Sequence, residues 1–327
     1  MKGRRTQINV SLNGRNISSD LDGDTLSLTF NDSAEERSDN LDFEIQNRDK
    51  KWLNGWFPNK MDTVTASIST ENGSLDCGIF LVDEVTMSGR PLTVSIKGIA
   101  MPSDQDFSEV EHNKTWEKAT LQEIASEIAG KAGIALEYKA SYNPTIKFQT
   151  QEAETDKSFL QKLAAKHGIS IKPYNKKLVL YEMDKLEEGG SIKTLNESDL
   201  LSWSGKTTIT DTSYSGVSVQ YINKNNEVMT YTYNGGGDKA PKIFKLKDQL
   251  DDIGMAQKVT QAKYKELNRG ETTFSCDLPG DPSLVSGCCV SLSGDFGKFA
   301  GKYLIDSSSH AVSGGYVTSL ELHKVEE

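Results

Sequence analysis

The stretch TLQEIASEIAGKAGIALEY, Thr120 to Tyr138, is where the hydrophobic period of this 327-residue chain changes. Thr120 and Glu123 stand at capping-box spacing, in which the hydroxyl and the carboxylate satisfy free N–H groups at a helix start. Leu121, Ile124, Ala125, Ile128, Ala129 and Ala132 then follow the three-four spacing of a helix with one apolar face. Gly133 supplies the stop, and Ile134, Leu136 and Tyr138 alternate as in a strand. The same order returns downstream: Phe159, Leu160, Leu163 and Ala164 on a helix, Gly168 at its end, then Ile169 and Ile171 alternating. Two copies are fewer than the roughly three a solenoid needs, so they predict a compact α/β insert. A hairpin at Asn175-Lys176-Lys177, followed by Leu178 to Tyr181, closes it.

Upstream the period is two. Ile8, Val10 and Leu12, then Leu26, Leu28 and Phe30, then Leu41, Phe43 and Ile45 read as antiparallel strands with one buried face. Further strands are expected over 64–69, 78–85 and 92–99, with turns at Glu71-Asn72-Gly73 and Met87-Ser88-Gly89-Arg90-Pro91. Short strands at this spacing predict a closed or nearly closed barrel. Residues 48–58, with Trp52, Trp56 and Phe57, read as a loop anchored by aromatic side chains.

Downstream of a linker at 187–191, strands return over 202–210, 215–222 and 228–233, and Gly235-Gly236-Gly237 breaks the pattern. A helix is predicted at about 252–268, with Met255, Ala256, Val259, Ala262 and Leu267 on one arc. Alternation resumes in Phe274, Cys276 and Leu278, then Cys288, Val290 and Leu292, then Tyr303 and Ile305, then Thr318, Leu320 and Leu322. The expected fold class is therefore α+β: two antiparallel β-barrel-like domains, 1–101 and 191–327, flanking an α/β insert of two helix-strand units, 102–190.

Lysine plus arginine number 37 against 47 aspartate plus glutamate, a net charge of -10 that argues against a general binder of phosphate backbones. Hydrophobic residues at 36% exclude a wholly disordered chain. No run approaches the ~20 apolar residues of a membrane helix, and residues 1–13 do not read as a signal peptide, so the chain is expected to stay where it is made. Cys77, Cys276, Cys288 and Cys289 form no CxxC and have no histidine at ligand spacing, which predicts reduced structural thiols. In a strand the neighbours Cys288 and Cys289 point to opposite faces, one of them inward.

Catalytic signatures are sparse. His112, His167, His310 and His323 are scattered, without HExxH, nucleophile elbow or EF-hand loop. Gly205-Lys206-Thr207 resembles the end of a phosphate loop, but Leu200 stands where the first glycine belongs and the flanks read as strand. Gly294, Gly297 and Gly301 precede a strand, where a dinucleotide turn needs a helix. The acidic pairs Asp83-Glu84, Glu187-Glu188 and Asp251-Asp252 are read as solvated turns or helix starts. His310, inside an alternating run, is read as a strand residue with a satisfied ring nitrogen. No catalytic, cofactor-binding or metal-ligating residue is assigned, and no cofactor is expected.

A pattern across the last third carries a resemblance. Its elements are Arg269-Gly270-Glu271-Thr272, Leu278-Pro279-Gly280-Asp281-Pro282-Ser283-Leu284 with Gly287, Phe296-Gly297, Gly301-Lys302-Tyr303, Ser309-His310, Gly314-Gly315-Tyr316-Val317-Thr318 and Leu320-Glu321-Leu322. As a set they resemble the phage late control protein D family, the baseplate hub of contractile tails. The middle agrees through Thr120-Leu121, Ile124-Ala125, Asp156, Phe159-Leu160, Leu163-Ala164 and Gly168; the start agrees more loosely through Arg48-Asp49, Trp52, Pro58 and the strand at 78–85.

The resemblance implies a structural hub and no enzyme: a homotrimer in which two similar barrels per chain make a six-barrel ring joining a sixfold tail tube to a threefold spike. Other baseplate proteins and a tape-measure protein are the further partners it implies. It also implies assembly in the bacterial host cytoplasm and residence in a virion or tail-like particle, with no membrane span and no sequence-specific nucleic-acid binding. The family includes the first part of VgrG spikes; here the last hairpin directly precedes Glu327, so spike and lysozyme-like activity are expected on other polypeptides. The acidic excess is expected to line the channel. The helix at about 252–268 and the loop at 48–58 are candidate contact surfaces, against the alternative that each packs on its own barrel. Two other classes stay open from the residues alone. One is a particle-borne cell-wall hydrolase, which needs a carboxylate pair with one raised pKa in a cleft; the other is a carbohydrate- or receptor-binding β-protein displaying Trp52, Trp56 and Trp203.

Overall fold

The computed structural model describes residues 6–18, 25–34, 38–59, 62–100, 105–208, 212–236 and 242–325. The period-two segments at the start become β1 (Gln7–Leu12), β2 (Arg15–Asn16), β3 (Thr25–Ser33), β4 (Asn40–Gln46), β5 (Thr63–Thr70), β6 (Gly73–Ser88) and β7 (Thr93–Ile99). They pair antiparallel in the order β3-β4-β7-β6-β5-β1-β2. Alternation does the sorting: in β4, Leu41, Phe43 and Ile45 are buried and the residues between them half-exposed. The aromatic loop packs on this sheet. Trp52 is fully buried in its core, with its backbone N–H donating to Asn47 Oδ1 at 3.3 Å, and Trp56 meets it edge-on at 5.5 Å.

The middle of the chain supplies α1 (Gln105–Glu109), β8 (Glu111–Thr120), α2 (Leu121–Lys131), β9 (Ala135–Tyr138), β10 (Thr145–Thr155), α3 (Asp156–Lys166), β11 (Ser170–Tyr174), β12 (Lys177–Tyr181) and α4 (Met183–Glu187). The capping box forms: the Glu123 N–H donates to Thr120 Oγ1 at 3.2 Å, and the Thr120 N–H to Glu123 Oε2 at 2.7 Å. Leu121, Ile124 and Ile128 of α2 share one core with Phe159, Leu160 and Leu163 of α3. β11 and β12 form the expected hairpin, and β9 joins β12 in parallel. The antiparallel ribbon of β8 and β10 was not legible beforehand. Its strands are largely exposed, so threonine and charged residues hide any apolar alternation.

The remaining elements are β13 (Ser191–Leu195), β14 (Ser202–Thr207), β15 (Gly216–Ile222), β16 (Val228–Asn234), β17 (Ile243–Leu250), α5 (Ile253–Arg269), β18 (Thr272–Pro279), β19 (Cys289–Leu292), β20 (Gly301–Val312) and β21 (Tyr316–Lys324). β16, β15 and β17 make a small separate sheet, and α5 lies on it through Met255, Ala256 and Val259 against Val219 and Leu250. The strand β17, at 243–250, was not anticipated; its apolar residues Ile243, Phe244 and Leu246 follow no clean alternation.

The chain is mostly β, in several largely antiparallel sheets, and the expected barrels are not closed among the described residues. The reason lies at β3. Its outer edge, which a closed barrel would need for the β1–β2 end of the sheet, is taken by β20, from Ser307 opposite Ser33 to Val312 opposite Leu28. One sheet of 13 strands therefore runs from β14 through β18, β21, β20 and β3 to the β1–β2 hairpin, with β19 and β13 branching from β20. Among the described residues no helix is long and apolar enough to cross a membrane.

Local capping is directly testable in α5, where Asp252 Oδ1 accepts the Met255 N–H at 2.9 Å. Replacing Asp252 by alanine is expected to lower stability by about 1 kcal/mol, read as a lower urea midpoint with an unchanged denaturant slope.

Candidate functional site

Three segments meet where β20 joins β3. His310 of β20 is fully buried there, with Nδ1 2.7 Å from the Tyr316 hydroxyl and Nε2 3.1 Å from the Leu284 carbonyl. Burial pushes the ring down to about 4, so it is neutral at neutral pH. Nε2–H then donates to Leu284 and Nδ1 accepts from Tyr316, which makes His310 the satisfied strand residue that its alternating surroundings predict. Its ring stacks on Phe30 of β3 at 6.1 Å. The loop after β18 lies against the same hairpin. The Gly280 N–H donates to the Tyr316 carbonyl at 2.8 Å, and a Cβ at Gly280 would fall 2.0 Å from Tyr316 Cγ, so no side chain fits. The Asp281 N–H donates to Thr318 Oγ1 at 3.0 Å, and Asp281 Oδ1 accepts from Ser283. Val285, Val312 and Tyr316 pack on the core of the first sheet. The residues of the Leu278–Leu284 and Gly314–Thr318 motifs thus form a structural joint between the two β-rich ends.

Two buried charge clusters add the insert to this joint. Lys172 of β11 places Nζ 2.7 Å from Asp32 Oδ1 on β3 and 2.9 Å from Asp39 Oδ1 before β4. Asp32 Oδ2 also accepts the Ser286 N–H at 2.8 Å. Burial lifts the Asp39 carboxyl to about 7 in spite of Lys172, helped by the neighbouring Asp32 charge. Burial acts the same way on Asp32, but there Lys172 and Ser286 outweigh it and the carboxyl sits below its ordinary value. The hydroxyl of Tyr181 donates to the Ala34 carbonyl, and the Ile79 N–H donates to Asn175 Oδ1 at 3.0 Å, so β11 and β12 are pinned at both ends.

The second cluster centres on Glu187, which sequence reasoning placed in a solvated linker. It is buried, and its Oε1 accepts from Arg269 Nε at 2.6 Å and lies 3.3 Å from His323 Nε2. The other ring nitrogen of His323 lies 2.5 Å from Asp306 Oδ1, and Arg269 also reaches Asp184 at 3.1 Å. Burial opposes the charged forms, yet the hydrogen bonds to Asp306 and Glu187 raise His323 to about 9, and those from His323 and Arg269 hold Glu187 down at about 2. The reading failed because both partners stand far along the chain.

The other singled-out residues do not converge. Glu84 of β6 pairs with Lys97 on the exposed surface, Asp251 with Lys147, and Asp252 caps α5. Gly205 to Thr207 lie in β14, and Gly294 and Gly297 in a short 3-10 segment leading into β20. Gly235 and Gly236 follow β16, and Gly237 lies outside the described residues. His167 caps the end of α3, its ring pushed down to about 4 by burial. Cys77, Cys276 and Cys289 are buried, Cys288 is half-buried, and all four are free thiols. Among the described residues no group of three or more His, Cys, Asp or Glu side chains is placed to hold a metal ion. The split carboxylate pair that a hydrolase would need does exist in Asp32 and Asp39, but Lys172 fills the space between them and both are buried. A groove of about 880 Å³ between α3 and α5 is lined by charges already paired, as Lys162 with Glu154 at 2.6 Å and Lys263 with Glu266 at 2.5 Å.

What the joint leaves open is strand edge. Among the described residues β14 ends the large sheet with no partner beyond β18; its Trp203 is 42% exposed, and Leu201 just before it 61%. Residues 97–316, more than half of the chain, match the family model described as phage tail baseplate hub (GPD). The chain belongs to that family. The probable baseplate hub protein of Escherichia phage 186 is 27% identical over 170 residues, which span 50% of this chain and 41% of that protein. Among solved structures, the 43 kDa tail protein of prophage MuSo2 from Shewanella oneidensis superposes with a TM-score of 0.71 at 14% identity, covering 97% of both chains. The tail protein from Neisseria meningitidis MC58 gives 0.71 at 13% identity over 98% of this chain and 96% of that one. An Escherichia coli component of the type VI secretion system, described as similar to the T4 bacteriophage tail proteins gp27 and gp5, gives 0.60 at 11% over 99% of this chain and 77% of that one. The structural likenesses are of fold; family membership rests on the sequence match, and its members are named for a structural part of the tail.

The Glu187 cluster gives the hub chain a signed pH dependence. A histidine raised from 6.5 to about 9 stabilises the fold fully below pH 6.5 and loses that contribution as pH rises through about 9, a span worth about 3 kcal/mol. Urea unfolding between pH 6.5 and 9.5 should show this decline in the native chain and a much smaller one in His323→Gln.

Proposed function

We propose that this chain is the structural hub of a contractile tail, a homotrimer whose subunits each contribute two barrel-like modules, 1–101 and 191–327, to a pseudo-sixfold ring. The ring joins a sixfold tail tube to a threefold spike, with other baseplate proteins and a tape-measure protein as further partners. The observation that carries this reading is the β20–β3 pairing, which fuses the two β-rich ends edge to edge and leaves β14 at one end of the sheet and the β1–β2 hairpin at the other. Unpaired edges are docking sites for another chain, and a head-to-tail contact closes into a ring where the rotation allows. Three copies of a two-module chain present six modules to the tube. Family membership supports placing the trimer in the tail baseplate of a virion or tail-like particle, assembled in the host cytoplasm. The net charge of -10 supports an acidic channel wall that repels a passing polyanion and reads no nucleic-acid sequence.

Electron microscopy of assembled particles should find three copies at the tube tip; a number not divisible by three refutes the ring. Leu201→Lys, on an exposed side chain beside the β14 edge, should change stability by no more than about 0.5 kcal/mol yet reduce incorporation into tails. Unimpaired incorporation removes β14 from the interface.

A further inference from the structure

The cluster of Lys172, Asp32 and Asp39 encloses one ammonium and two carboxylates, so with both acids ionised a net negative charge is buried, which is costly. The hydrogen bonds do not share the deficit evenly. Asp32 has both oxygens served, Oδ1 by Lys172 and Oδ2 by the Ser286 N–H. Asp39 has one: Oδ1 takes Lys172 at 2.9 Å and the Ser33 N–H at 3.0 Å, while Oδ2 is buried with no hydrogen-bond partner among the described residues. A proton on Asp39 brings the cluster to neutrality and leaves the Lys172 contacts to Oδ1 in place.

We propose that Asp32, Asp39 and Lys172 form a proton-operated clasp between the insert and the β3–β20 joint, closed while Asp39 holds its proton and loosened when the proton leaves. Among the described residues the other titratable groups coupled to the cluster are Tyr174 on β11, Cys77 on β6, Cys288 before β19 and His310 on β20. Burial raises the tyrosine and both thiols and lowers the histidine, so these four stay neutral near pH 7. Burial, reinforced by Asp32 and only partly offset by Lys172, carries Asp39 from 3.8 to about 7. The folded form therefore holds one extra proton between those values. The clasp is tightest at acid pH, weakens as pH rises towards 7 and is level above it.

The test is hydrogen exchange of the full-length protein from pH 5.5 to 8, read on peptides covering β11 and compared with Asp39→Asn, which mimics the protonated acid. After correction for intrinsic exchange, the opening constant of β11 should rise about tenfold per pH unit between 5.5 and 6.5 in the native chain and flatten above about 7.5. In Asp39→Asn it should stay at the low-pH value. Taking the difference between the two proteins removes contributions from the histidines. The same pH dependence in both proteins, or none in the native chain, overturns the clasp. Should the variant not fold, the carboxyl carbon shift of Asp39 decides in the native chain. A titration midpoint near 7 upholds the clasp; one near 4, the ordinary aspartate range, overturns it.

Discussion

The architecture turns on one strand that has to serve too many neighbours. β20 is paired with β21 along nearly its whole length on one side, while its other side is divided between β19 and β3. Buried backbone groups must be paired, so the changeover is where such an arrangement would fail. Here the β20–β21 register shifts between Ile305 and Ser307, and the exposed groups are taken by loops. The Ile305 N–H donates to the Cys288 carbonyl at 2.9 Å, the Ile305 carbonyl accepts from Gly287 at 2.8 Å, and the Asp306 carbonyl accepts from Ala34 at 2.7 Å. The bulge also turns the Asp306 side chain to His323. One irregularity therefore both switches partners and places a member of the Glu187 cluster.

The buried charges follow from that geometry. Insert and sheets share a small apolar cluster, in which Val179, Tyr181 and Met183 pack with Ala34, Cys289 and Leu304, and the buried charges flank it. An ammonium that must find two carboxylates inside the protein has few acceptable placements, and breaking a buried pair costs about 3 to 5 kcal/mol. Lys172 fixes β11 against β3, and Glu187 fixes the end of α4 against α5 and β21 at once. Such pairs do little for net stability compared with apolar packing. What they add is a geometric constraint, since few placements of the insert bring every charge to its partner.

This division explains what the amino-acid sequence disclosed and what it withheld. The three longer helices were legible, α2 with its cap, because Thr120 and Glu123 act on N–H groups within one turn of themselves, whereas the five-residue helices α1 and α4 are too short to show a period. The strands of the first sheet were legible because one face is buried and the other wet. Closure was not, since it depends on whether the outer edge of β3 meets the β1–β2 end of its own sheet or a strand near the far end of the chain, and β20 takes it. Glu187 beside Glu188 looks like a solvated pair until Arg269 and His323 are brought to it. The motif residues Gly280 and Tyr316 were recognisable as a family set long before their reason was visible, which is that a ring lies where a glycine side chain would be.

An open-ended sheet is a liability for a chain acting alone, since an exposed edge invites pairing with any strand of suitable pattern. Here β14 is short, carries Lys206, and keeps Trp203 stacked on Phe274 at 5.5 Å, so the edge is partly blunted. The net charge of -10 opposes casual contact between copies by long-range repulsion, which falls away within about 10 Å at moderate salt. In the proposed ring, such a subunit would resist casual contact by its charge and, once held at contact distance, would offer a hydrogen-bonding edge. That behaviour suits a component that must join in one place, at the end of a growing tail, and fits the proposed ring better than a freely dimerising protein.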